Sequence, residues 1–407
     1  MQRLQAFKFE LMPNGEHLRF MRRTAGACRF VYNKALTVQK ENYEAGGKFI
    51  GYVTMARHLT GWRNGDETPW LRDAPVHPLQ HALKDMERAY RNFFEKRAAF
   101  PQFRRRGQHD SFRYPDPKQI RLDQGNGRIF LPKLGWIRYR KSRVVPGELR
   151  NVTVSHSAGK WFISIQTRRE IAQPVPRATS AIGIDVGIAR FATFSDGSHL
   201  EALNSFRRHE KRLARARRSM SRKVKFSSNW KKQKARIARI HAHIANARRD
   251  YLHKATATIS KNHAFVSIED LKVRNMSKSA AGSVELPGRN VRAKSGLNKS
   301  ILDQGWCEFR RQLDYKLDWQ GGWLIAVPPQ HTSQTCPCCG HVSADNRTTQ
   351  AEFLCVECGY ENHADVVGAI NILARGHSAA ACGEPVHLGR STKQEPAKAI
   401  AREVSHA

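Results

Sequence analysis

The spacing of apolar positions changes along the chain, and each change predicts a different element. Between residues 1 and 15, Leu4, Phe7, Phe9 and Leu11 follow a strand-like alternation that ends at Pro13-Asn14-Gly15. Phe20, Ala27, Phe30, Val31 and Leu36 then recur at helical spacing. A second helix is predicted from Pro78 to about Arg97 on Leu79, Leu83, Met86, Ala89, Tyr90 and Phe93-Phe94. The stretch between them, with Gly46-Gly47 and Gly61-Trp62, reads as loop. From Pro101 to about Arg169 short alternating runs such as Arg128-Ile129-Phe130-Leu131 and Trp161-Phe162-Ile163-Ser164-Ile165 are punctuated by Gly and Pro. They predict a small β-barrel or sandwich that takes the N-terminal segment as its first strand and carries the helices as an insertion.

Ile171 to Thr179, with Pro174 and Pro176, reads as a linker, and beyond Ser180 the pattern becomes strand, strand, long helices, strand. Arg207 to Arg249 is densely cationic, with Glu210 its only acidic residue. Leu213, Ile237, Ile240 and Ile244 form a thin apolar stripe through it, which predicts an antiparallel helical pair. Ser277 to Ser300, rich in Gly, Ser and basic residues, reads as a mobile loop. Ile301 to Trp319 reads as an amphipathic helix on Trp306, Phe309, Leu313 and Leu317, and Trp323 to Val327 as a strand. After Arg375 the composition turns to Ala, Gly, His and Lys, and order is expected to fade.

Charge changes this picture from a fold to a partner. Lys and Arg number 70 against 35 Asp and Glu, a formal net charge of +35 in 407 residues. So large an excess makes a polyanion the default partner. The basic span Arg207 to Arg249 and the run Phe103-Arg104-Arg105-Arg106 are the places for phosphates, with Arg104, Arg105, Arg217, Lys231 and Lys232 as contact candidates. A solvated helix face is the alternative, disfavoured by the scarcity of acidic partners. Trp62, Trp70 and Tyr114 are candidates for stacking on bases, or equally for the local core. A membrane surface is the rival polyanion, but no apolar run approaches the roughly eighteen residues a spanning helix needs. The start, Met1-Gln2-Arg3-Leu4-Gln5-Ala6-Phe7-Lys8, lacks the apolar core of a signal peptide, so a bacterial cytoplasmic protein is expected.

In that compartment thiols stay reduced, and cysteine pairs point to metal. Cys336-x2-Cys339 and Cys355-x2-Cys358 are separated by fifteen residues, and a glycine follows each pair, Gly340 and Gly359. Four soft thiolates on two tight knuckles describe a closed, structural Zn2+ site; chance thiols or a redox pair are the alternatives. Cys338 offers a second choice of ligand in place of Cys339, at the cost of an unusual Cys-x-Cys bite. Cys28, Cys307 and Cys382 read as packing or incidental residues.

Three carboxylates stand out by position. Asp185 lies in the apolar run Ile182-Gly183-Ile184-Asp185-Val186-Gly187, Glu269 ends Val266-Ser267-Ile268-Glu269, and Asp365 opens the helical stretch Val366 to Leu373 just after the cysteines. Each alone is more ordinarily a turn or cap residue. Together, at mid-strand, strand end and helix start, they match what an RNase H-like two-magnesium phosphodiesterase needs. A metal at Asp185 would also remove the cost of an unpaired charge in an apolar strand.

With these motifs the chain resembles the TnpB (OrfB) family of insertion-sequence RNA-guided nucleases, relatives of the type V CRISPR effectors. The resemblance is carried by Arg29-Phe30-Val31-Tyr32-Asn33, Leu79-Gln80, Asn92-Phe93-Phe94, Leu131-Pro132-Lys133-Leu134-Gly135, the three carboxylate motifs, Ser333-Gln334-Thr335-Cys336 and Asn371-Ile372-Leu373. It implies a multidomain α+β chain: a WED-type β-barrel (first strand 1–15, remainder 101–178) with an inserted helical REC domain (16–100). An RNase H-like RuvC nuclease domain would follow (179–330), with a zinc ribbon inserted (331–362) before the last RuvC helix (363–376) and a dispensable tail (377–407). It also implies that Asp185, Glu269 and Asp365 hold two Mg2+ ions roughly 4 Å apart. It makes Gln80 a candidate reader of a short motif beside the target. The partners it implies are a guide RNA encoded beside the gene and a double-stranded DNA target, with a monomeric protein between them. Two positions depart from the family: His363 and Val367 stand where an acid and an Asn are common, which leaves the triad whole but puts the rate in question. A guided DNA-binding repressor that has lost cleavage, or a transposition accessory factor, is the alternative. Decayed relatives should lose an acid, and all three acids are present.

Overall fold

A computed structural model describes residues 1–108 and 110–381. The described residues divide into two compact units, Met1–Gln173 with Arg222–Arg239, and Pro174–Ser221 with the described residues from Ile240. The first change of unit falls inside the stretch read as a linker.

The first unit opens with β1 (Gln2–Met12). Asn14 stops the strand and caps α1 (Gly15–Glu44), its side-chain oxygen accepting from the His17 N–H at 2.8 Å. A helix, α2 (Tyr52–Asn64), occupies the stretch expected to be loop, and Gly61 and Trp62 lie inside it. Its anchor is the i,i+4 pair Met55 and Leu59, both buried; two apolar contacts are too few for a periodicity reading to register. Helix α3 (Val76–Phe94) buries Leu79, Leu83, Met86 and Tyr90 on one face. Six strands follow: β2 (Ser111–Tyr114), β3 (Arg121–Asp123), β4 (Arg128–Leu131), β5 (Gly135–Tyr139), β6 (Glu148–Ser157) and β7 (Lys160–Glu170). With β1 they form a seven-stranded sheet in the order β2-β6-β7-β1-β5-β4-β3. Strand β1 pairs antiparallel with β7 along Gln2–Glu10 and with β5 at Leu11 and Met12, so the N-terminal segment joins both halves. The hydrogen-bonded ladder runs from β2 to β3 without closing into a ring. Tyr114 belongs to this core, its hydroxyl donating to Pro132 O at 3.0 Å, and is not available to stack on a base.

The second unit is built on a five-stranded sheet. Strands β8 (Ala181–Val186), β9 (Arg190–Phe194) and β10 (His199–Glu201) form an antiparallel meander. The chain then runs through α4 (Ser205–Ser221) and α5 (Ser228–Asn262) and returns as β11 (Phe265–Glu269), parallel to β8. Rings of His209 and His243 meet at 5.1 Å and Arg217 reaches His241 at 3.4 Å, in the antiparallel sense expected of α4 and α5. After α6 (Val273–Met276), α7 (Val291–Gln304) and α8 (Trp306–Asp318), β12 (Trp323–Val327) adds beside β11, giving the order β10-β9-β8-β11-β12. The short hairpin β13 (Glu352–Leu354) and β14 (Glu361–His363) leads into α9 (Ala364–Ala381).

Three expectations need correction here. Helix α7 begins at Val291, within the segment read as a mobile loop, and Gly305 at φ 79° separates it from α8 where one helix was predicted. Polar contacts hold α7 at its end: buried Asp303 accepts from Ser205 Oγ at 2.9 Å and from the Phe206 N–H at 2.8 Å, at the start of α4. Apolar spacing cannot reveal such an anchor. The last helix also runs to Ala381, past the boundary at 376. Cys382 and the rest of the expected tail, 382–407, lie outside the described residues. Among the described residues no helix is long and apolar enough to cross a membrane.

Candidate metal centres

Helix α9 and strands β8 and β11 carry the three acids, and small residues let them meet. A Cβ on Gly183 would stand 2.1 Å from Ala369 O, and one on Gly376 would stand 2.4 Å from Ser267 Oγ. The glycine ahead of Asp185 therefore serves close approach of helix to strand, not a turn. Ser267 Oγ donates to Ile372 O at 2.8 Å in this dry contact. Asp185 is next to last in β8, Glu269 ends β11 and Asp365 is second in α9. Even Gly368 leaves its place to the Asp185 carboxylate, whose Oδ2 would lie 3.1 Å from an added Cβ.

The electrostatics of the cluster are those of crowded anions. Burial, reinforced by Glu269 and Asp365, pushes the Asp185 carboxyl up to about 7 against the opposing pull of Arg347 and the Val186 N–H. Burial also raises Glu269, opposed by the Thr332 hydroxyl that donates to its Oε1 at 2.7 Å and by the charge of Arg375. Arg347 stands 3.5 Å from Asp365. The Asp365 N–H donates to His363 Nδ1 at 3.2 Å, so the residue that departs from the family pattern acts as a helix cap. Val367 is fully buried. A cavity of about 370 Å³ adjoins the cluster, lined by Glu269, Val186, Trp306 and Leu324, with Arg310 paired to Asp270 on its wall. Three half-buried carboxylates crowded together, only partly offset by Arg347 and Arg375, suit a hard divalent cation.

The cost of that crowding can be measured without metal. The unfolded Asp185 ionises near the ordinary aspartate value of 3.8, whereas in the fold it holds its proton to about 7. Stability of the magnesium-free protein is thus lost as pH rises between those values, and the full penalty stands above 7. Asp185→Asn should therefore stabilise the protein in magnesium-free buffer by roughly 2–4 kcal/mol at pH 8 and by little near pH 4, read from denaturant unfolding at each pH. An equal effect at both pH values would remove the charge explanation.

The four cysteines make a second, tighter centre. Sulfurs of Cys336, Cys339, Cys355 and Cys358 lie within 4.8 Å of one another, with Cys336–Cys358 and Cys339–Cys355 both at 3.6 Å. A tetrahedron of thiolates about 2.3 Å from zinc places sulfurs roughly 3.8 Å apart, whereas a disulfide needs about 2.05 Å. The knuckles are near copies: Gly340 N donates to Cys336 O and Gly359 N to Cys355 O, both at 3.0 Å, and both glycines have positive φ, 77° and 70°. Asn346 is buried between them, donating to Gln334 O and accepting from Val356 N. Cys338 is exposed and outside the cluster. Metal analysis is expected to find one zinc per chain, lost together with the ribbon's fold in Cys355→Ser/Cys358→Ser and retained in Cys338→Ser. Zinc retained in the double variant would exclude this ligand set.

Elsewhere the predicted contact residues divide. Arg105, Arg217, Lys231 and Lys232 are exposed, and Gln80 is half-buried on α3. Arg104 is committed within the fold, paired with Asp85 at 3.2 Å and stacked 3.9 Å over Tyr32. Trp62 lies under Lys34, while Trp70 keeps 44% of its surface exposed. The motif reading missed Thr332 and Arg347 beside the acids and gave Asn371 no role.

Fold and sites together define a class: a basic, mixed α/β protein with a carboxylate cluster between sheet and helix and a four-cysteine ribbon-like domain. Comparison with known proteins gives the family. Residues 152–280 match the OrfB IS605 model, described as "Probable transposase", and 306–372 match the Cas12f1-like TNB domain. Residues 1–48 match a model described as a helix-turn-helix domain, although here they form one strand and one uninterrupted helix. The chain is 61% identical to a protein of Escherichia coli K12 named as an RNA-guided DNA endonuclease, InsQ, over 98% of its own length and 99% of that protein's. It is 35% identical to a similarly named protein of Streptomyces pristinaespiralis, over 98% and 97%. In fold it is similar to Cas12f1 solved as a complex with sgRNA and target DNA, with a TM-score of 0.56, 10% identity, and coverage of 91% and 98%. The chain belongs to the TnpB (OrfB) family.

Proposed function

We propose that this protein is a transposon-associated, RNA-guided DNA endonuclease that cuts target DNA beside a short flanking motif. The observation that carries the reading is near-full-length identity of 61% to a protein named "Putative RNA-guided DNA endonuclease InsQ", in a chain that keeps all three acids on adjoining elements. Within it, the first unit corresponds to a WED-type sheet with a REC-like helical insertion, and the second to a RuvC-type nuclease with an inserted zinc ribbon. Asp185, Glu269 and Asp365 are the residues that would hold magnesium. Two such ions supply charge stabilisation to the attacking and leaving oxygens of a phosphodiester. The chain's own residues do the rest. Arg347 offsets the negative charge around Asp365, and the exposed cations of α4 and α5 suit a phosphate backbone. Reading of the flanking motif is assigned to Gln80, whose amide can pair bidentately with adenine.

The direct test is the nucleic acid that copurifies. Its sequencing should return one structured RNA species encoded beside the gene. A random sample of cellular RNA would reduce the protein to a basic, nonspecific binder.

A further inference from the structure

The nuclease reading leaves unexplained a set of buried hydrogen bonds between α9 and the segment that precedes the first cysteine. Thr332 is 4% exposed and Asn371 is 6% exposed. The Asn371 amide donates both of its protons, to Thr332 O at 2.8 Å and to Thr335 O at 2.7 Å. One turn further along α9, Arg375 donates to Pro328 O at 3.1 Å and to Gln330 O at 2.5 Å. The helix that bears Asp365 thus grips the backbone from 328 to 335 at four carbonyl groups. The gripped segment carries the Thr332 hydroxyl, 2.7 Å from Glu269 Oε1. That hydroxyl has a single proton and a second acceptor within reach, Pro329 O at 3.1 Å. The shorter contact, to a charged oxygen, takes it.

We propose that Thr332 and Asn371 are positioning residues that fix Glu269 relative to Asp365. The Asn371 amide sets the height of the Thr332 backbone above α9, and the Thr332 hydroxyl holds one carboxylate oxygen of Glu269, leaving the other free for a cation. Two acids on different elements, β11 and α9, are thereby referred to one helix. A carboxylate on the last residue of a strand has few neighbours of its own, and without this bond its torsions are unconstrained on that side. Groups that hold metal-ligating carboxylates in place typically change metal affinity or activity by about 10–100-fold when removed.

This inference rests on the nuclease reading, and its test separates the two. Thr332→Val keeps the shape of the side chain and removes the donor; Thr332→Ser keeps the donor. Full-length protein with its RNA is assayed for the Mg2+ concentration giving half-maximal cleavage, and for Mn2+ binding by electron paramagnetic resonance. Thr332→Val should raise both the Mg2+ requirement and the Mn2+ dissociation constant about tenfold or more, with melting temperature and guided DNA binding near wild type, and Thr332→Ser should restore both within about twofold. Asn371→Asp, which turns an acceptor toward two carbonyls, should move them in the same direction. Thr332→Val with unchanged Mg2+ and Mn2+ dependence, beside an inactive Asp185→Ala, overturns the positioning role alone. If Asp185→Ala also cuts at the wild-type rate, the nuclease reading itself is lost.

Discussion

Replacing Asp185, Glu269 or Asp365 with alanine should each lower guided cleavage on the order of a thousandfold or more, while binding of a matched duplex stays within about twofold. The asymmetry follows from where the side chains are. Asp185 is half-buried next to the end of β8, and Glu269 and Asp365 share that crowded corner, so none has the reach to hold a duplex. Their repulsion in the metal-free state is the same property that would draw in cations, and removal of one acid removes both. Loss of DNA binding in step with cleavage would mean that the acids support the fold, and a variant that cuts at the wild-type rate would remove its residue from the centre. A double alanine variant should be no slower than the slower single, because groups serving one centre do not act additively.

Much of this arrangement was legible because local pattern and chemistry coincide at the acids. An aspartate in the middle of Ile-Gly-Ile-Asp-Val-Gly, or a glutamate closing Val-Ser-Ile-Glu, violates the apolar run it sits in, and a violation of that kind is visible in one dimension. The cysteine pairs are legible for the same reason, since each knuckle is contained within four residues and announces its turn by the glycine that follows. What escaped is nonlocal or polar. Thr332 and Glu269 are 63 positions apart, and Asn371 and Thr332 are 39 apart, joined by single hydrogen bonds that leave no period behind. Helix α7 escaped because its end is tied down by Asp303, a buried polar residue that reads as surface. A run of arginines looks the same in one dimension whether its members face solvent or, like Arg104, stack on Tyr32 and pair with Asp85.

Stripping the bound RNA should abolish cleavage of duplex DNA, and adding back a guide of chosen sequence should restore cutting at the matched site. Target choice should then move wholly with the guide. Charge alone requires only a polyanion: at +35 the bare chain repels itself and binds nucleic acid without regard to sequence. A resident RNA changes both properties, neutralising much of the excess and delegating recognition to base pairing, so that the protein need read only backbone geometry and a short motif. The two contributions separate experimentally by salt. Raising ionic strength should weaken binding of the stripped protein to any duplex steeply, whereas the loaded protein should keep its preference for matched over mismatched DNA even as total affinity falls. Mismatches next to the flanking motif should block cutting more than distant ones, because pairing that starts there must proceed through them. Gln80→Ala should lower cutting of every matched target without altering which guide-matched sequence is chosen. Equal cutting of matched and mismatched duplexes, or full cutting by the stripped protein, would make this an ordinary basic nuclease whose RNA is a passenger.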